Sequence, residues 1–402
     1  MKIFRMGTAC PSTRRRSFRL GAAFLLILGC EVVSLDVQAQ TRVLYDGRLF
    51  DQGVTMTERS PFADSTLDLM RPMLGKWQVR ETTWAGGSEA VRHGTAAITY
   101  MNRGYSYMER LHLDSRDADG EGNDDNVDNV DNDVSDSIDR ISFLTYQAAN
   151  TQWMLGVADS WTETVELFNG HSDDRSLVLT NASRRRGGPF VVMTRVTYRM
   201  VNDRAFEVTS EVSTDFGATW KPEMRRDYER ATDDVAFAAI RADFGRPSPD
   251  RAPESAAFDF LIGKWNAIQE LRTAAEPIRF RSDATAVYTL GGRGVLEFSW
   301  YDVDPNLPDA ATTIVRIYNS AERRWESLYH TNRGNGMLDF GGNKEGDEVV
   351  LHLFDTNRRD NISRFVFHSI ADNTYAWYSE LSSDAGKSFR TNWSIEFERA
   401  DD

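Results

Sequence analysis

Hydrophobic and polar residues alternate with a period of two in several runs along the chain. Trp393-x-Ile395-x-Phe397 is a clear instance, and such alternation places one face of a strand against a core and the other toward water. In the C-terminal half the strand-like runs are 265–271, 278–290, 294–301, 313–318, 324–330, 348–354, 363–368, 374–381 and 389–398. They are rich in β-branched and aromatic residues. Turn residues punctuate them: Gly291-Gly292, Asp304-Pro305, Asn319-Ser320, Gly341-Gly342-Asn343 and Asp384-Ala385-Gly386. Roughly nine short strands at regular spacing predict a sandwich or a barrel.

The pattern occurs twice. Gly75-Lys76-Trp77 returns as Gly263-Lys264-Trp265, at an offset of 265 − 77 = 188. Tyr146-(x)6-Trp153 returns as Tyr318-(x)6-Trp325, at 325 − 153 = 172. The turns at Asp215 and Asp384 share one offset with the closing Arg230 and Arg399: 384 − 215 = 399 − 230 = 169. The falling offset means that the first copy carries the insertions. The acidic tract 114–139 and the polar loop Arg184–Gly188 are their natural homes. The expected organisation is a leader at 1–39, a strap at 40–60, a first module at 61–231, a linker at 232–253 and a second module at 254–402. Asp64-Ser65 and Glu254-Ser255 read as the starts of a short helical turn opening each module. A further short helix is expected within the linker, over 235–242.

The leader changes the picture of where the protein resides. A basic stretch, Arg14–Arg19, precedes the apolar run 20–29, and Val37-Gln38-Ala39 has small residues at cleavage spacing. The expectation is export, to a periplasmic or extracellular location. Arg15-Arg16-x-Phe18 resembles a twin-arginine signal, and Ile27-Leu28-Gly29-Cys30 resembles a lipoprotein box, which would put a lipid anchor at Cys30. Both cysteines, Cys10 and Cys30, fall in this leader, so a chain cleaved after Ala39 has no disulfide. No further apolar run reads as a transmembrane span.

The net charge of −14 is mostly local. Residues 114–139 hold eleven acids and one arginine, a net of −10, leaving −4 elsewhere. Without a basic patch interleaved with aromatics, nucleic acid is not an expected partner. Within the tract, Asp117, Asp119, Glu121, Asp125 and Asp128 with Gly122 space their oxygens partly like a calcium loop, while an unflanked solvated acidic loop explains the same residues. No other cofactor is expected. The six histidines show no metal-ligand spacing.

A short helix, Gly-x-Trp and a late arginine together resemble the lipocalin and wider calycin barrels. The opening Phe258-Asp259-Phe260-Leu261-x-Gly263-x-Trp265 is similar to that of uncharacterised bacterial exported domains believed to share this barrel. The resemblance implies an all-β fold of two tandem antiparallel barrels, each with a short N-terminal helical turn. It implies that Trp77 with Arg230, and Trp265 with Arg399, close the barrel floors, either as part of a ligand cup or as plain plugs. Some related barrels bind haem through a histidine on a late strand, and the last strands here have none. Ser-x-Asp-x-Gly-x-x-aromatic at Ser213 and Ser382 resembles the Asp-box of sialidase propellers, but two copies 169 residues apart read as structural turns.

Two functions remain open. One is a carrier of a small apolar molecule or a structural surface module, with Trp153, Trp325, Tyr329 and His330 as wall candidates. The other is an enzyme of hydratase or cyclase type, as in some tandem lipocalin-like proteins, with Glu297, Asp302, Arg110 or His112 facing inward.

Overall fold

The computed structural model describes residues 59–400 except 62, 86, 116–136, 174, 184–190, 232–245, 273–275, 303–309, 333–335 and 355–360. The leader, nearly all of the strap, Cys30, the calcium candidates Asp117, Asp119, Glu121, Asp125 and Asp128, the loop Arg184–Gly188 and the start of the linker lie outside the described residues.

The strands close into two antiparallel barrels of ten strands each, every strand pairing with its neighbours in sequence. The first barrel contains β1 (Gly75–Ala85), β2 (Ser88–Met101), β3 (Ser106–Leu113), β4 (Ile138–Gln147), β5 (Gln152–Asp159), β6 (Thr164–Ser172), β7 (Ser176–Ser183), β8 (Val192–Asn202), β9 (Ala205–Ser213) and β10 (Lys221–Arg230). The second contains β11 (Gly263–Arg272), β12 (Pro277–Thr289), β13 (Gly294–Asp302), β14 (Ala311–Asn319), β15 (Arg324–Thr331), β16 (Met337–Glu345), β17 (Glu348–Leu353), β18 (Ile362–His368), β19 (Thr374–Ser382) and β20 (Arg390–Arg399). Ten strands replace the nine read from the sequence because Gly341-Gly342-Asn343 is not a turn but the middle of β16. A Cβ on Gly342 would collide with Val350 O, so glycine here serves close backbone approach. Gly342 pairs with Trp325 just as Gly170 pairs with Trp153, and 342 − 170 = 172 is the offset of those tryptophans.

A 3₁₀ helix opens each barrel, Ser65–Met73 and Pro253–Leu261. Asp64 caps the first by accepting from Thr66 N at 2.8 Å. The second starts one residue before the expected Glu254: Pro253 supplies the preset φ of a first helical residue, and Ala252 offers no side-chain cap. Each helix is tied to its barrel by one construction. Trp77 Nε1 donates to Met73 O at 2.8 Å, and Trp265 Nε1 to Leu261 O at 2.7 Å. The guanidinium carbons of Arg230 and Arg399 each lie 4.3 Å from the paired indole centroid. Arg230 also donates to Leu74 O and Pro72 O at 2.9 and 2.8 Å, and Arg399 Nη1 to Ile262 O at 3.0 Å. These bonds take up carbonyls that the helix ends leave unpaired. Gly75 and Gly263, at φ +125° and +126°, make room, since a Cβ there would meet the guanidinium.

The barrels share a third core. The outer faces of β4 and β5 (Ile141, Phe143, Met154, Ala158) pack on those of β13 to β15 (Leu296, Val315, Ile317, Leu328). Gly156 sits against Leu328, whose side chain occupies the place of a Cβ. Val165 N donates to Glu326 Oε2 at 3.0 Å, and Thr313 Oγ1 to Asn102 Oδ1 at 2.7 Å. His330 belongs to this seam. Its ring is 6.5 Å from that of Phe143, its Nδ1 lies 3.0 Å from Gly336 O and must carry the proton, and Nε2 has no partner. Burial pushes the His330 pKa down to about 4.

Gly156→Ala is expected to cost about 1–3 kcal/mol through overpacking, and Leu328→Ala in the same chain should recover part of that loss in a denaturant double-mutant cycle; additive losses would place the two residues apart. An unfolded histidine takes its proton near pH 6.5 and His330 near 4, so stability falls as pH drops through that window. The difference in melting temperature between the unmodified chain and His330→Leu should therefore shift between pH 7 and pH 4.5, and a constant difference would count against a buried neutral ring. Arg399→Lys keeps the charge but loses the paired donors to Ile262 O and Asp372 O, with an expected loss of about 1–3 kcal/mol in chemical unfolding.

Candidate functional site

The second barrel encloses a cavity of about 110 Å³ between its floor and its far end. Strand alternation turns Leu271, Phe280, Phe340, Phe365, Trp377 and Ile395 into its apolar wall. Phe365 and Trp377 stack at 5.8 Å with an interplanar angle of 9°. Phe340 meets Phe365 at 5.1 Å, and Trp393 meets Trp377 edge-on at 5.4 Å.

Besides Thr312 and Thr331, two polar clusters interrupt this wall. In the first, Trp393 Nε1 donates to Gln269 Oε1 at 3.0 Å and Gln269 Nε2 donates to Ser282 Oγ at 2.7 Å. The second is a buried ion pair, with Arg316 Nη1 2.8 Å from Glu297 Oε2. That contact is close but poorly aligned. Glu297 Oε2 and Arg316 Nε and Nη1 make no hydrogen bond, while Ser299 Oγ donates to Glu297 Oε1 at 3.2 Å. The rings of Phe258 and Phe367 lie 5.2 and 5.6 Å from the Arg316 guanidinium carbon.

The equivalent positions of the first barrel are filled differently. Gln269, Ile395 and Phe397 correspond to Glu81, Arg226 and Tyr228 by the repeat offsets, 269 − 81 = 188, 395 − 226 = 169 and 397 − 228 = 169. Arg226 Nε donates to Glu81 Oε2 at 2.6 Å with both side chains buried. Glu297 corresponds to Glu109 (297 − 109 = 188), and Glu109 Oε1 accepts from the Tyr228 hydroxyl at 2.7 Å. Burial raises the Glu109 pKa above the ordinary carboxylate value, against the pull of the Tyr228 hydroxyl, Arg140 and Ser142. Arg140 Nε donates to Asp159 Oδ2 at 2.7 Å.

The residues singled out by sequence disperse. Tyr329 lines the cavity, whereas Trp325 lies beneath it, 4.7 Å from Phe258 and edge-on to it. Trp153 is the matching floor residue of the first barrel, its Nε1 donating to Ser172 Oγ at 3.0 Å. His330, the next residue after Tyr329, points out of the barrel into the seam. Glu297 faces inward. Arg110 and His112 alternate with the inward Glu109 and Leu111 and so take the outer face of β3, where His112 Nδ1 lies 2.7 Å from Asp139 Oδ1. The Asp302 side chain lies outside the described residues. Sequence reading passed over Glu109, Arg316 and Gln269; the shared offset of 188 between Glu109 and Glu297 was the available signal.

The repeated Asp turns are self-contained. Thr219 donates to Asp215 from both its hydroxyl and its N–H, at 2.6 and 2.9 Å; Ser388 does so to Asp384, at 2.7 and 2.9 Å. These bonds hold each carboxyl at a pKa of about 2. Arg195 covers Trp220 at 4.3 Å and Arg364 covers Phe389 at 3.9 Å, so the motif aromatic is part of the turn. Among the described residues no group of three or more His, Cys, Asp or Glu is gathered for a metal, and no helix is long and apolar enough to cross a membrane.

No protein-family model and no curated protein matches this chain. Solved structures similar to parts of it include Rv2717c from M. tuberculosis, 13% identical, covering 38% of this chain and 100% of its own, with a TM-score of 0.28. The S-type phycobiliprotein lyase CPES from Guillardia theta is 15% identical and covers 36% of this chain and 91% of its own, with a TM-score of 0.26. A protein of unknown function of the DUF3598 family from Nostoc punctiforme is 10% identical and covers 84% of this chain and 100% of its own, with a TM-score of 0.22.

Proposed function

We propose that this is an exported tandem lipocalin-like barrel protein whose second barrel binds a small, largely apolar molecule, while the first barrel acts as its structural support. The observation that carries the reading is the cavity of about 110 Å³, walled by aromatic and aliphatic side chains with a few buried polar groups. A volume of this size suits a ligand of about one ring, since an apolar cavity of roughly 150 Å³ admits benzene. It is too small for a long acyl chain. The first barrel's matching interior holds the Glu81–Arg226 pair and the Tyr228–Glu109 hydrogen bond, which fits a supporting role. Export, with a lipid anchor at Cys30 as a variant of it, rests on the leader sequence.

Glu297 favours a second reading, a hydratase- or cyclase-type enzyme, because a carboxylate inside an apolar chamber is what proton transfer to such a substrate requires. Its charge is matched by Arg316, which fits ligand recognition better than proton donation.

Ser299 lines the cavity, and Ser299→Leu should fill part of it. Protein purified from its native host and sprayed under native conditions is expected to carry a small molecule of about one ring, and Ser299→Leu to carry at least tenfold less with its melting temperature within a few degrees. A chain that carries nothing, or a variant that carries as much, would sink the carrier reading.

A further inference from the structure

The cavity's own chemistry narrows the ligand class, an inference that rests on the second barrel being a binding cup. The buried groups differ in how far they are already satisfied. Gln269 is used from both ends, by Trp393 and by Ser282. The Arg316–Glu297 pair is not. Arg316 is 2% exposed and Glu297 7%, both line the cavity, and Arg316 Nε, Arg316 Nη1 and Glu297 Oε2 have no hydrogen-bond partner. Donors and an acceptor thus stand side by side with capacity to spare, next to apolar walls.

Charge decides what can use that capacity. The pair sums to zero, so an anion or a cation entering the cavity would bring a net charge into an apolar, poorly solvated space. A plain hydrocarbon would fit the walls but leave the orphaned polar atoms as they are. A neutral group that accepts and donates on adjacent atoms satisfies both partners at once. Its carbonyl meets the guanidinium and its N–H meets the carboxylate, and both hydrogen bonds are charge-assisted. We propose that the second barrel selects a small neutral cyclic ligand carrying a cis amide or an equivalent adjacent carbonyl and N–H, read by Arg316 and Glu297.

Small saturated rings of similar size test this. Binding of 2-pyrrolidone, cyclopentanone, cyclopentane, pyrrolidinium and cyclobutanecarboxylate to the full chain can be ranked by ligand-observed NMR titration. The expected order places 2-pyrrolidone at least tenfold tighter than cyclopentanone, with both charged probes weakest. Glu297→Gln leaves the guanidinium unmatched and should move cyclobutanecarboxylate to the top of the ranking. The neutral double variant Glu297→Gln/Arg316→Gln avoids a lone buried charge, and in it 2-pyrrolidone should lose its tenfold lead. If cyclopentane and cyclopentanone bind but 2-pyrrolidone stays within threefold of cyclopentanone, or if an ion binds the unmodified chain tightest, the amide assignment is overturned and the carrier reading stands. If no member of the series binds, both fall together.

Discussion

An indole held under a guanidinium is the contact on which both barrels depend. The first and last strands pair to close each cylinder, which leaves its two ends open, and the end where β1 or β11 begins is stoppered by a 3₁₀ helix too short to be stable alone. The last strand brings an arginine opposite the tryptophan of the first, Arg230 to Trp77 and Arg399 to Trp265. Indole and guanidinium both then bind carbonyls at the end of the helix. The same atoms therefore fasten the stopper, cap the helix and shield the indole, and the aromatic stack above repeats as well. Phe206 and Tyr228 stack at 4.1 Å, and Tyr375 and Phe397 at 4.2 Å.

On that common floor the two interiors diverge. Glu81 and Arg226 in one copy are Gln269 and Ile395 in the other, so one interior holds a charge pair where the other holds an amide and an aliphatic chain. The acid at Glu109 and Glu297 is kept in both, with a tyrosine hydroxyl as partner in the first barrel and a guanidinium in the second. A buried ion pair contributes little net stability against well-packed apolar residues. The two pairs also differ in setting: Glu81 and Arg226 are joined by a hydrogen bond in the first interior, while Glu297 and Arg316 border the cavity of the second and are poorly aligned.

Much of the fold was legible because period-two alternation and the repeated Gly-Lys-Trp and arginine positions are local signals. The failures have physical causes. β16 was hidden because Gly341 and Gly342 read as turn residues, whereas a neighbouring strand's backbone demands them there. The seam was hidden because alternation identifies one buried face and says nothing of a second. β14 is buried along almost its whole length, and that continuous run, Thr312-Thr313-Ile314-Val315-Arg316-Ile317-Tyr318, marks a strand covered on both sides. His330 looked site-like for the same reason, being apolar in its surroundings but on the wrong face. The Arg316–Glu297 pair joins neighbouring strands of the barrel, and only the closed sheet shows that both side chains turn inward.

β15 has two different neighbours. Tyr329 touches the cavity, while Leu328 and His330, one step to either side, are wedged against the other barrel. A single strand thus serves as chamber wall and as joint. Substitutions on this strand therefore sort by parity: a change at Tyr329 reshapes the chamber, and one at Leu328 or His330 reshapes the contact between the barrels.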